Sequence, residues 1–121
     1  MKRKLLLILL AVCSLSISFG QTQTKKVLTE KQKIDYLISS IENLKNAKFY
    51  RNGSLYDAKA AADHLRMKMG KAGNRIKTAQ DFIDKIASSS YMSGEDYKII
   101  FSNGKEITTN KYLNDKLKAI Q

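Results

Sequence analysis

The first twenty residues constrain this chain most, because they have the pattern of a segment that is removed before folding. Three basic residues open the chain, residues 5–12 are an unbroken apolar run, and Ser18 and Gly20 place small residues where a signal peptidase cuts. We therefore predict a signal peptide over residues 1–20. The mature chain would begin at Gln21 and would be periplasmic or extracellular.

Two other fates are open to this segment, a transmembrane anchor and a lipid anchor. The apolar run is too short to cross a bilayer of roughly 30 Å, so no stable transmembrane anchor is predicted. Lipidation at Cys13 is the minor alternative, since Val12 is bulky where a lipoprotein signal has a small residue. A cleaved signal remains the favoured reading.

Removal of the signal leaves about a hundred residues, which is enough for one domain with one modest core. The only cysteine is lost with it, so neither a disulfide framework nor a thiolate site is expected. We predict a flexible tether over residues 21–28 and a single small domain over residues 29–121. Packing alone must stabilise that domain.

The remaining chain is strongly basic. The whole sequence has 22 Lys and Arg against 11 Asp and Glu, and loss of the three signal cations leaves 19 against 11, a net charge of +8. For an exported protein this charge favours an anionic envelope component, or another envelope protein, as partner rather than nucleic acid. The alternative is that scattered lysines only keep the domain soluble.

Capping patterns predict where three helices begin. Thr29 is followed three residues later by glutamine, and Thr78 by aspartate, and apolar residues then recur at helical spacing after each. Thr108 or Thr109 caps a last helix in the same way.

A further helix is expected after a turn near the middle of the chain. Residues 49–51 are extended and run into Asn52-Gly53, a pair that tolerates positive φ. Ser54 can then cap a helix over residues 55–69, closed by the glycine that follows.

Residues 97–101, the Asn103-Gly104 turn and residues 105–107 form a hairpin pattern. A lone hairpin is marginal in water, so residues 49–51 are the candidate third strand. The predicted fold is therefore α+β, with about four short helices packed on a small antiparallel hairpin or three-stranded sheet.

An anion site is conceivable where Arg51, Asn52 and Gly53 meet the start of the second helix. Free N–H groups at a helix N-terminus and a guanidinium both favour negative charge. The alternative is a plain turn whose cap is already filled by Ser54.

His64 is the only histidine, and it lies at the edge of the apolar stripe of the second helix. It is either a half-buried structural residue or the ligand-facing rim of a small cleft. By the helical period Lys68 lies about 40° and Arg66 about 160° from it, so the three cannot point into one pocket.

No metal, cofactor or catalytic residue is predicted. One histidine and no mature cysteine leave no zinc ligand set. A hydrolase or lyase that uses His64 as acid or base stays an alternative, although no spacing ties Ser54, Ser90 or Ser93 to it.

An ordered set of short motifs resembles the YfeK-like family of small exported bacterial proteins, a domain of unknown function. The motifs are Phe49, Arg51-Asn52-Gly53, Tyr56, Ala61-Ala62, His64-Leu65-Arg66-x-Lys68, Thr78-Ala79-x-Asp81-Phe82-Ile83, Ser88 to Ser90 and Ser93-Gly94. The resemblance runs from about residue 34 to 117. It implies an envelope or extracellular location and places Arg51, Asn52, His64, Arg66 and Lys68 in a family motif without giving them a role.

The leading hypothesis is an exported, non-catalytic module that binds an anionic ligand or partner through Arg51, Asn52, Gly53, His64, Arg66 and Lys68. The alternatives are the His64 hydrolase or lyase and a purely structural interaction protein.

Overall fold

The structure is a computed structural model that describes residues 26–121. The predicted signal peptide and the first part of the predicted tether lie outside the described residues. Residues 26–29 form no helix or strand.

Four helices, α1 to α4, account for half of the described chain. They are Glu30–Glu42, Ala58–Ala72, Ala79–Asp81 continued by a π-helical segment Phe82–Ala87, and Thr109–Ala119. The side-chain oxygens of Thr29, Thr78 and Thr108 each accept a backbone N–H three residues on. The predicted helix starts at these threonines are therefore confirmed.

The sheet has four antiparallel strands in the order β2-β1-β3-β4. They are β1 Lys48–Arg51, β2 Ser54–Tyr56, β3 Lys98–Ile100 and β4 Glu106–Thr108. The predicted α+β class, the hairpin of β3 and β4, and the third strand β1 are confirmed. The fourth strand, β2, was not predicted.

The predicted helix over residues 55–69 is wrong at both ends. Asn52 and Gly53 have φ of 51° and 83°, so they form a two-residue hairpin turn that matches strand twist and sends the chain back as β2. Asp57, not Ser54, caps α2 through a 2.8 Å bond from the Ala60 N–H. The helix also runs through the glycine at 70 to Ala72.

The core lies between one face of the sheet and the helices. Phe49 is paired with Ile99, and Ile99 with Ile107, so these side chains share the inner face. Opposite them, Leu37 of α1 and Phe82 of α3 are fully buried. Each such side chain contributes roughly 1.5–3 kcal/mol, which lets a cysteine-free domain hold together.

Candidate functional site

A cleft of about 280 Å³ opens beside the C-terminal half of α2. Five basic side chains line it: Arg51 from β1, His64, Lys68 and Lys71 from α2, and Arg75 from the 3₁₀ turn Gly73–Arg75 that follows. We call this site the cationic cleft. The loop after α3 supplies its far wall.

The spacing along α2 explains why these side chains meet. His64, Lys68 and Lys71 follow one another at intervals of four and three residues, which keeps them on one face of α2, and Arg75 joins them from the 3₁₀ turn after the helix. Arg51 reaches the same place because it shares the inner face of β1 with Phe49. Its guanidinium carbon lies 4.5 Å from the ring centre of Tyr56.

Tyr97 lies at the floor of the cleft and joins two of the predicted site residues. Its hydroxyl is 3.3 Å from Nε2 of His64 and 3.0 Å from Nζ of Lys68. Because an ammonium can only donate, the Tyr97 oxygen accepts from Lys68 and its own proton is free for Nε2 of a neutral His64.

Lys68 is buried, with 9% of its surface exposed. Besides Tyr97, its ammonium donates to the carbonyl oxygens of Ile86 at 2.7 Å and Ser89 at 3.3 Å. All three N–H donors are thereby satisfied, yet no carboxylate of the described chain forms an ion pair with it. The floor of the cleft is a hydrogen-bonded but uncompensated cation.

The cations perturb one another. Burial, followed by the charges of Arg51, Lys68 and Lys71, lowers the pKa of His64 to about 4. Burial and the charge of Arg51 also lower the pKa of Lys68, and burial raises the pKa of Tyr97. His64 is therefore neutral at pH 7, and the positive charge belongs to the Arg and Lys side chains.

Nothing on the described walls neutralises this charge. The lining contains no aspartate or glutamate. Within residues 26–121, none of the ion pairs involves Arg51, Lys71 or Arg75. Arg75 gives Nε and one Nη to the carbonyl oxygens at the end of α2, which leaves other N–H groups for a ligand.

The turn residues of the predicted site have separate positions. Asn52 lines the cleft, and its side-chain oxygen accepts a 2.5 Å bond from Ser93. Gly53 is exposed in the turn and is not part of the lining. The expected anion site at the start of the second helix is not formed, because β2 separates the turn from α2 and Asp57 already accepts the Ala60 N–H.

Arg66 points away from the cleft, as the helical period predicted. Its guanidinium bonds Glu42 of α1 at 2.6 and 3.3 Å and Asp63 at 3.3 Å. The bonds to Glu42 join α1 to α2, so Arg66 stabilises the packing of these helices and does not contribute to the cleft.

The sequence analysis missed Lys71, Arg75 and Tyr97. Lys71 could have been found from its helical spacing with His64 and Lys68, but Arg75 lies beyond the end of α2, where the helical period no longer applies. Tyr97 could not, since it is 33 residues from His64 and only the packing of the β3 entry against α2 brings them together.

None of the three candidate serine nucleophiles is hydrogen-bonded to His64 in the described structure; Ser90 lines the cationic cleft, but its Oγ accepts the Met92 N–H. Ser93 donates to Asn52, and Ser54 lies in β2. The hydrogen-bond partner of His64 in the described structure is Tyr97. Residues 26–121 contain no cluster of three or more metal-ligating side chains, and no helix there is long and apolar enough to span a membrane.

Comparison with known proteins gives a family but no activity. A family model described as "Family of unknown function (DUF5329)" matches residues 28–121. An uncharacterised protein, YfeK of Salmonella typhimurium, is 41% identical over 68 residues. That alignment covers 56% of this chain and 57% of the relative, so the chain spans little more than half of it. No solved structure matches.

Proposed function

The chain belongs to the DUF5329 family of unknown function, and we propose that it is an exported, non-catalytic binding module whose cationic cleft takes an anionic ligand or partner. One observation carries this proposal. Arg51, Lys68, Lys71 and Arg75 face one concave surface whose described lining has no carboxylate.

An anion is the ligand that this arrangement favours. Gathering like charges costs free energy: burial lowers the pKa values of His64 and Lys68 most, and the neighbouring cations lower both further. A bound anion would relieve that cost. Arg51, Lys71 and Arg75 would make the direct contacts, because Lys68 already spends its donors on oxygens of the floor.

Export rests on the N-terminal pattern of a basic start, an apolar run and small residues at the cleavage site. It makes envelope components the relevant anions. Mass spectrometry of protein recovered from the periplasm or medium tests it, and an N-terminus at Gln21 is expected.

The ligand proposal is tested by calorimetry with inorganic pyrophosphate and with a sulfated heparin disaccharide. Binding should weaken as salt rises, and Arg51→Gln or Lys71→Gln should each reduce affinity roughly tenfold, the scale of one charge-assisted contact. Lys118→Gln is the matched control, because Lys118 is exposed on α4 and is not in the cleft lining.

Two results would overturn the proposal. Equal losses in Lys118→Gln and Arg51→Gln would mean that net charge alone attracts anions. No binding of either probe at low salt would leave the cleft without an anionic ligand and favour a structural interaction protein.

A further inference from the structure

A second cavity, of about 420 Å³, adjoins the cationic cleft. The two share four wall residues, Ala72, Arg75, Ile86 and Tyr91. The second cavity adds Lys77 and Lys85 to its lining and, like the first, contains no carboxylate there. The two cavities are therefore neighbours, and we call them together the groove.

Positive charge continues along the groove from Arg51 past Arg75 to Lys85. Among the ion pairs of residues 26–121, one involves a lining cation of the groove: the carboxylate of Asp81 lies 3.7 Å from Nζ of Lys85, and it also accepts the Lys77 backbone N–H at 3.1 Å. This contact is long and its Lys85 end is exposed, so it neutralises little of the positive charge. A single small anion would use only part of such a surface.

Tyr91 stands where the two cavities meet. It is 79% exposed, and its ring centre is 5.2 Å from Nζ of Lys68. A large aromatic side chain that is exposed to solvent beside a cation offers a surface on which a flat or ring-shaped apolar face can pack. Its position gives the groove one stacking platform between two sets of cations.

We propose that the groove binds an acidic polysaccharide, with anionic groups on Arg51, Arg75 and Lys85 and one sugar ring against Tyr91. This inference deepens the proposed anion site and rests on it. A polysaccharide presents charges at intervals along an extended chain, and its rings carry apolar C–H faces, so both features of the groove are used.

Other anionic macromolecules fit less well. Grooves that bind single-stranded nucleic acid place aromatic side chains under successive bases, whereas here one tyrosine stands at the junction. A membrane surface would be met best by a convex basic patch, and these cations line a concavity.

The test compares heparin fragments of two lengths on protein purified from expression of the full chain. The decasaccharide should bind at least tenfold more tightly than the disaccharide. A longer fragment also binds more tightly for a trivial reason, because the protein can bind it at several overlapping positions. The decisive measurement is therefore the affinity of the variants. Lys85→Gln, which changes only the second cavity, should weaken the decasaccharide about fivefold and leave the disaccharide unchanged, and Tyr91→Ser should weaken the decasaccharide about fivefold.

Matched controls are Lys118→Gln for charge and Tyr36→Ser for an exposed aromatic on α1, and neither should change the decasaccharide affinity. If the disaccharide binds through Arg51 but Lys85→Gln and Tyr91→Ser leave the decasaccharide unaffected, the extended site is wrong while the anion site stands. If the protein binds oligo(dT) or phosphatidylglycerol vesicles more tightly than the decasaccharide, the ligand is a nucleic acid or a membrane surface and not a polysaccharide. If the protein binds none of these anions, both the polysaccharide site and the underlying anion site are wrong.

Discussion

The ammonium of Lys68 lies 3.0 Å from the hydroxyl of Tyr97, and both side chains are more than nine-tenths buried. A cation on α2 is thus held against the entry to β3 by a neutral phenol instead of a carboxylate. This pair forms the floor of the cationic cleft and links the stability of the domain to the charge of its site.

Lys68→Met is expected to destabilise the domain by roughly 1–3 kcal/mol. It leaves the carbonyl oxygens of Ile86 and Ser89 without their donor, and that loss outweighs the relief of burying a cation. Chemical denaturation measures it. Lys71→Met, at an exposed position of the same helix, should stay within about 0.5 kcal/mol of wild type. A Lys68→Met protein as stable as wild type would show that these bonds contribute nothing.

Stability should fall as pH drops from about 6.5 to about 4 because of His64. Its folded pKa is lowered to about 4 by burial and by the charges of Arg51, Lys68 and Lys71, while Tyr97 contacts it as a neutral group. The unfolded chain therefore binds the proton first in this window, and protons favour unfolding. The loss at pH 4, allowing for the partial exposure of the ring, is roughly 1–2 kcal/mol.

Because the chain has one histidine, its NMR resonance is unambiguous. A midpoint near 4 is expected, and His64→Gln should reduce the pH dependence between about 5 and 6.5, above the range in which Glu30 and Glu42, whose pKa values are also lowered, contribute. A midpoint near 6.5 would mean that the ring is solvated and that the basic side chains do not act on it.

Asp57→Ala should cost about 1 kcal/mol, since the carboxylate accepts the Ala60 N–H as the N-cap of α2. Ser54→Ala should change stability by less than about 0.5 kcal/mol, because Ser54 is an exposed residue of β2. Thermal melts of the two variants distinguish the observed boundary from the one expected from sequence. A larger loss of stability in Ser54→Ala than in Asp57→Ala would mean that the helix starts at Ser54.

Arg66→Gln should leave the affinity for pyrophosphate and for heparin fragments within about twofold of wild type, since distant charges are screened at moderate salt. Its guanidinium is bonded to Glu42 and Asp63 on the far side of α2. Calorimetry beside Arg51→Gln provides the comparison. A loss as large as that of Arg51→Gln would place Arg66 in the binding surface after all.

Local signals explain which parts of the fold could be predicted. The capping threonines and the Asn103-Gly104 hairpin are set by neighbours a few residues apart, and the structure has them where expected. The Asn52-Gly53 turn was read as an entry to a helix because its positive φ angles suit several turns. The residues after the turn form a strand because β2 pairs with β1, and that pairing is a tertiary contact.

The candidate site shows the same division. The helical period correctly separated Arg66 from His64 and Lys68. It could not reveal that Lys68 is buried, because a lysine in water and one that caps the carbonyl oxygens at the end of α3 look alike in sequence. The cleft needs β1, α2 and the loop after α3 together, and only the packed chain brings them there.

The sheet closes itself to further strands. Its two outer strands, Ser54–Tyr56 and Glu106–Thr108, are each three residues long, and the second passes directly into a helix at Thr109. Such short edge strands offer an incoming chain few backbone groups for hydrogen bonding. They therefore disfavour edge-to-edge aggregation at high local concentration. A partner of this protein is therefore expected to be recognised through side chains and not by joining the sheet.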